Sequence, residues 1–98
     1  MYHFSEKIYT SLAESLLSAL VYPCYFTGAV EVEAGSADVR LVATLIIHRH
    51  APAPFSGETD YITHVVPVWW ECSVVDDEGV ELEHDFDFER FVELVKAL

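Results

Sequence analysis

Residues 39–48 constrain the fold of this 98-residue chain more than any other segment, because they are apolar on both parities of a strand. The odd positions carry Val39, Leu41, Ala43, Leu45 and Ile47, and the even positions include Val42, Thr44 and Ile46. Successive side chains of a strand point to opposite faces, so such a run is typical of a central strand. We therefore expect a sheet around this segment, with other elements covering each of its faces.

The preceding segment alternates apolar and acidic side chains, with Val30 and Val32 flanking Glu31 and with Glu33 next in line. This alternation is typical of a strand with one solvated face. The stretch GSAD at 35–38 supplies turn-forming residues between the two runs. A β-hairpin is therefore predicted.

A third strand is predicted over residues 60–75, which are rich in β-branched and aromatic side chains. Pro67 lies in its middle. Because proline has no N–H to donate to a ladder, we expect an edge position or a bulge there. The acidic turn DDEG at 76–79 then leads into a short fourth strand over 80–84.

An amphipathic helix is predicted near the N-terminus, over residues 6–22. Its apolar side chains recur at helical spacing, and Ser5 is a favourable N-cap. Phe4 and Tyr9 are placed to form a hydrophobic staple around that cap. Pro23 is expected to end the helix, because the residue before a proline is driven out of the helical region.

A second helix is predicted near the C-terminus, where Asp87 is a candidate N-cap and Phe86 and Phe91 form a second staple. The order of helix, four strands and helix predicts an α+β fold. We expect a four-stranded antiparallel meander with both helices packed on one face. Residues 1–98 are expected to form a single domain, since the chain contains no internal repeat or low-complexity linker.

The chain is strongly acidic, with 17 Asp and Glu against 5 Lys and Arg and a formal net charge of −12. Its hydrophobic content of 52% nevertheless favours a folded chain over a disordered one. The negative charge repels phosphate backbones and anionic lipids, so we expect neither direct nucleic-acid binding nor membrane binding. No apolar run reaches transmembrane length and no signal-peptide pattern is present, so a cytoplasmic location is predicted.

Two adjacent tryptophans, Trp69 and Trp70, cannot both face one core if they lie in a strand. In a strand, Trp70 faces the same side as the apolar Cys72, whereas Trp69 faces the same side as the charged Glu71. We therefore expect Trp70 under the helices and Trp69 on the opposite, open face of the sheet. The predicted interaction surface on that face comprises Trp69, Val42, Ile46, Thr44 and Glu71.

A partner for this surface is expected to be a protein, and a C2 homodimer that pairs two open faces is the favoured form. In the competing interpretation, the bulge at Pro67 re-aims the chain, and Trp69 is covered by the loop at 49–59 or by Tyr25. The sequence leaves both interpretations open.

The last third of the chain carries the motifs PVWWE at 67–71, DDEG at 76–79 and DFDF at 85–88. This pattern resembles short uncharacterised proteins from mobile elements of gut anaerobic bacteria. The resemblance implies a bacterial accessory protein and no particular chemistry.

Acidic residues are dense near the C-terminus and alternate along part of it. The candidate acidic edge comprises Asp76, Asp77, Glu78, Glu81, Glu83, Asp85 and Asp87. In an extended chain, like-facing carboxylates are about 6.7 Å apart, which is close to the phosphate interval of a nucleic-acid strand. The alternative function is therefore a DNA-mimic inhibitor of a nucleic-acid-binding protein. Acidic rows also act simply against aggregation and for solubility.

Signals for catalysis and for metal binding are weak. His48, His50 and His64, with Asp60 or Glu58, form a conceivable zinc or copper site, but their spacing is not a metal signature. Solvated histidines are the preferred interpretation, and no cofactor is expected.

Cys24 and Cys72 are predicted to be buried free thiols, which fits a reducing compartment. Cys72 is an unsuitable nucleophile in so acidic a region, because a thiolate requires positive surroundings. No phosphate-binding loop or nucleophile elbow occurs either. A non-catalytic binding protein is therefore predicted.

Overall fold

The computed structural model describes residues 1–20, 22, 24–50, 53–57 and 60–98. Its elements are α1 (Glu6–Ser18), β1 (Tyr25–Ala34), β2 (Ala37–His50), β3 (Tyr61–Val75), β4 (Glu81–Leu82) and α2 (Phe88–Ala97). The strands pair in the order β1-β2-β3-β4, and every pairing is antiparallel. The predicted α+β fold and the α-β-β-β-β-α order are confirmed.

Local signals in the sequence set the start of α1. The Ser5 hydroxyl accepts a hydrogen bond from the Ile8 N–H, and the Phe4 and Tyr9 rings lie 5.4 Å apart across the cap. The helix ends at Ser18, four residues before the predicted end at 22. Beyond the helix, Tyr22 forms an isolated antiparallel bridge with Tyr25, the first residue of β1. Pro23 lies outside the described residues.

The first hairpin is tighter than the four-residue turn that GSAD predicts. Ala34 pairs directly with Ala37, so the turn contains only Gly35 and Ser36. Gly35 has a φ of +66°, a left-handed conformation that glycine adopts without a steric cost.

A β-bulge interrupts the pairing of β2 with β3 at the proline, as expected. Thr44 pairs with Trp69 and Leu45 pairs with Pro67, so Val68 is an extra residue on β3. The bulge reverses the parity of β3 back to His64, because an extra residue shifts the side chains before it to the other face, and a second register shift at Thr63 reverses the parity again. Val65 therefore faces the same side as residues 70, 72 and 74.

Both helices pack on one face of the sheet, which we call the inner face. The odd-numbered side chains of β2 from Ala37 to Ile47 are buried on this face, and Leu41 and Leu45 are fully inaccessible. On the opposite side, the outer face, Val42 and Thr44 are half-buried and Ile46 is 43% exposed. The prediction that both faces of this strand are covered is therefore wrong. In the described ranges, helix packs on the inner face only.

The C-terminal part begins with a strand shorter than predicted. β4 contains two residues, and the chain then leaves β3 and meets the N-terminal segment, where Tyr2 forms a parallel bridge with His84. Asp87 caps α2 by accepting a hydrogen bond from the Glu89 N–H at 3.0 Å, as predicted. Phe91 lies on the side of this helix that faces the sheet, and it is fully buried.

Candidate interaction surface

Three rows of cross-strand neighbours occupy the centre of the outer face. From β1 through β2 to β3 they are Tyr25–Ile46–Val66, Thr27–Thr44–Trp69 and Ala29–Val42–Glu71. The middle row is tied by a hydrogen bond of 3.0 Å between the hydroxyls of Thr27 and Thr44. Adjacent rows are two residues apart along β1 and β2, and on β3 the extra residue at the bulge keeps Val66 and Trp69 in line with them, so the side chains form one continuous surface.

The first two rows contain large apolar groups that remain accessible. Trp69 is 51% exposed, Val66 and Ile46 are each 43% exposed, and Tyr25 is 38% exposed. We call these four residues, together with Val42 and Thr44, the outer patch. Half of Trp69 is accessible, so among the described residues neither Tyr25 nor the loop covers it as the competing interpretation expects; residues 51, 52, 58 and 59 of that loop lie outside the described ranges.

The structure brings all five predicted site residues onto this face. Trp69 lies beside Thr44, Glu71 lies beside Val42, and Ile46 lies two residues further along β2. Their role in binding stays a prediction. Sequence reasoning missed Val66 as a member of the patch, since its outward direction depends on where the bulge falls.

Trp70 occupies the inner side of β3, where the sequence predicts it. Its indole stacks on Phe88 with ring centroids 5.1 Å apart and an angle of 15° between the planes, and it contacts Phe86 at 5.4 Å. Although these rings shield it, Trp70 remains 37% exposed, because β4 pairs only with the last two residues of β3. The two indoles therefore project to opposite faces at one open edge of the sheet.

The residues of the candidate acidic edge differ in what they contact. One oxygen of Asp76 accepts hydrogen bonds from the N–H groups of Glu78 and Val80, at 2.9 Å each, and so closes the turn. Asp87 caps α2. Glu81, Glu83, Asp85 and Asp87 are exposed and alternate with half-buried residues, as in an extended chain, although only Glu81 lies in β4.

Asp85 fastens the N-terminal segment to the C-terminal one. Its carboxylate accepts a hydrogen bond from the Phe4 N–H at 2.7 Å and contacts the His3 ring at 3.1 Å. These contacts hold the pKa of Asp85 below its usual value, with the Phe4 hydrogen bond as the main cause. The Asp85 carboxylate therefore joins two segments of the chain, as well as contributing negative charge.

The three candidate histidines lie where β2 ends and β3 begins. His48 lies across from His64, with ring centroids 6.2 Å apart, whereas the His50 ring packs against Tyr61 at 4.9 Å. Asp60 lies 3.8 Å from the Arg49 guanidinium. Glu58 is outside the described residues. Within the described part of the chain, no three His, Cys, Asp or Glu side chains meet as a metal site.

Both cysteines are free, but only one of them is buried. Burial raises the pKa of the Cys72 thiol to about 12, so the sulfur is protonated and unreactive at neutral pH. Cys24 is exposed, and the prediction that it is buried is wrong. It lies at the entry to β1, where the chain turns back from the helix along the surface.

Comparison of the chain with protein-family models, curated proteins and solved structures finds no match. The resemblance to proteins of mobile elements therefore stays an expectation. No described helix has the length and apolarity needed to span a bilayer.

Proposed function

We propose that this protein is a small, non-catalytic binding protein that docks a protein partner on the outer face of its sheet. The observation that carries the proposal is the outer patch itself. Indole, phenol and branched aliphatic groups from three strands lie together on a face that neither helix covers. Contiguous apolar surface of this kind marks contact sites, and aromatic side chains supply much of the binding energy at such sites.

The chemistry of the remaining side chains agrees with a binding role. Burial holds Cys72 as a neutral thiol, which makes it a poor nucleophile. The sequence resemblance adds the proposal of a bacterial accessory protein, the free thiols fit a cytoplasmic setting, and the negative charge disfavours direct contact with nucleic acid or membrane.

Site-specific photo-crosslinking in the producing cells tests the proposal. A benzophenone amino acid replaces Thr27, which is exposed on the outer face, and in a matched control it replaces Glu14, which is exposed on α1. We expect a protein adduct from position 27 and none from position 14. Absence of an adduct at position 27, or equal adducts at both positions, would contradict docking on the outer face.

A second candidate function, the DNA-mimic inhibitor, is favoured by the segregation of charge along the chain. Residues 40–68 contain two acids and two bases, so the entire net charge of −12 belongs to the remaining residues. Glu81 and Glu83 are both exposed in that acidic part. A benzophenone at Glu81 should then capture a basic partner at low salt and lose it at high salt, because exposed charges are screened. Capture that is indifferent to salt would count against this candidate.

A further inference from the structure

We infer that the partner seated on the outer patch is a second copy of this chain, with the two sheets packed face to face across a two-fold axis. This inference rests on the proposed function and names the occupant of the same surface. Three properties of the molecule carry it: where its charge lies, how much surface it exposes, and how its apolar residues are distributed over the face.

Charge decides which surfaces of two identical acidic molecules can meet. The two copies carry −12 each and repel one another over most of their surface. Four of the six patch residues lie on the parts of β2 and β3 within 40–68, where the strands carry Arg40 and Arg49 and no acid, since Glu58 and Asp60 lie in the connection between them. None of the six patch residues is charged, although Glu71 borders them beside Val42, so a second copy meets less like-charge repulsion at the patch than over the acidic surface elsewhere. A basic partner would instead be drawn toward the acidic residues elsewhere.

The molecule has more surface than a monomer of its mass usually exposes. Its accessible area is 6273 Å², whereas area scaling for 11.1 kDa gives about 5,700 Å². Its radius of gyration is 14.8 Å, against about 12.6 Å for a compact chain of 98 residues. The protein is extended, with principal dimensions of 53 × 23 × 19 Å, because β2 and β3 continue beyond the helices.

The outer face is close to the size that a stable dimer requires. Its three long strands contain 10, 14 and 15 residues. With strands about 4.8 Å apart and a rise of about 3.4 Å per residue, they span a plane of roughly 600 Å². A standard interface covers about 800 Å² on each partner, so a dimer that uses most of this face falls at the smaller end of stable interfaces.

The distribution of the patch suits a self-complementary contact. A two-fold axis that runs along β2 between two facing sheets places β3 of one copy opposite β1 of the other. Trp69, on β3, then lies over the β1 region that contains Tyr25, and the same contact is repeated on the other side of the axis. Such an isologous contact closes on itself, so it produces a dimer and no filament.

Sedimentation equilibrium across the micromolar range tests the inference on the full chain. We expect a reversible dimer for the wild type. Trp69→Asp should raise the dissociation constant at least about 30-fold, since central aromatic anchors contribute 2 kcal/mol or more. Val80→Asp is the matched control, because Val80 is 53% exposed, lies outside the patch and receives the same charge. It should leave dimerisation unchanged.

A second variant separates loss of dimer from loss of fold. Ile46→Lys adds the opposite charge to the patch and should also give a monomer, with a far-UV circular dichroism spectrum that matches the wild type. A wild type that stays monomeric throughout, or a dimer that persists in both folded patch variants, would overturn the inference.

The crosslinker at Thr27 distinguishes failure of this inference from failure of the proposed function. An adduct of twice the chain mass supports both. An adduct with a different protein, together with a monomeric wild type, overturns the self-association and keeps the docking surface. No adduct of any mass overturns both.

Discussion

Because the two indoles project to opposite faces, we expect Trp70 to be energetically coupled to Phe88 and Trp69 not to be. Trp70 stacks on Phe88 at 5.1 Å with nearly parallel rings, so substituting one should change what the other contributes to stability. We expect the double-mutant cycle of Trp70→Ala and Phe88→Ala to show a coupling of about 0.5–1.5 kcal/mol, the usual range for an aromatic pair.

The single substitution is large enough to measure and small enough to leave a folded protein. Trp70 is 37% exposed, so almost two thirds of it is covered. A covered area of about 150 Å² at 25 cal/mol per Å² gives roughly 4 kcal/mol as an upper bound. A compact unfolded chain lowers this to about 3 kcal/mol for Trp70→Ala. A domain of 98 residues has a free energy of unfolding of about 5–15 kcal/mol, which leaves a margin.

Urea unfolding followed by far-UV circular dichroism is the appropriate assay, because each tryptophan substitution removes one of only two indoles and alters the fluorescence. Protein concentration stays fixed in all variants, so that any self-association contributes equally to both sides of a cycle. The control cycle pairs Trp69→Ala with Phe88→Ala and should give a coupling within error of zero. A coupling to Trp69 as large as that to Trp70 would refute the placement of the two rings.

Three further outcomes follow from the described contacts. Alkylation of the native protein at neutral pH should modify Cys24 and spare Cys72, whose pKa burial raises to about 12; two adducts by mass spectrometry before unfolding would contradict this. The lowered pKa of Asp85 gives stability that is present above its ordinary value of about 3.9 and is lost as the pH falls through the folded value. Thermal melting should therefore show a steeper acid loss for the wild type than for Asp85→Asn, and parallel profiles would count against it. Gly28→Ala should cost about 1–3 kcal/mol in urea, since Gly28 has a φ of +146°, and an unchanged midpoint would exclude that strain.

Sequence reasoning succeeded where the determinant is local. The caps at Ser5 and Asp87 are formed by a side chain and an N–H two or three residues away, so the sequence around each position is sufficient. The bulge at Pro67 follows from the missing N–H of one residue. The turn-forming residues at 35–38 likewise mark the position of the first hairpin, although its turn has two residues and not four.

Sequence reasoning failed where the determinant lies elsewhere in the chain. The apolar even positions of β2 correctly indicate a central strand, but parity cannot say which face the helices choose. Both helices contact one another and share one side, which leaves Ile46 uncovered. Cys24 has apolar neighbours in sequence, yet it is exposed because the chain reverses just before β1.

The bulge in β3 explains both the success and the limit of the predicted site. After the bulge, strict alternation correctly separates Trp69 from Trp70. Before it, the same alternation would put Val66 on the inner face and Val65 on the outer one. The extra residue, Val68, reverses that assignment, so Val65 enters the core and Val66 joins Ile46 on the outer face. One unpaired residue thus aligns the apolar groups on the two sides of the bulge, and without it the outer patch would be divided in two.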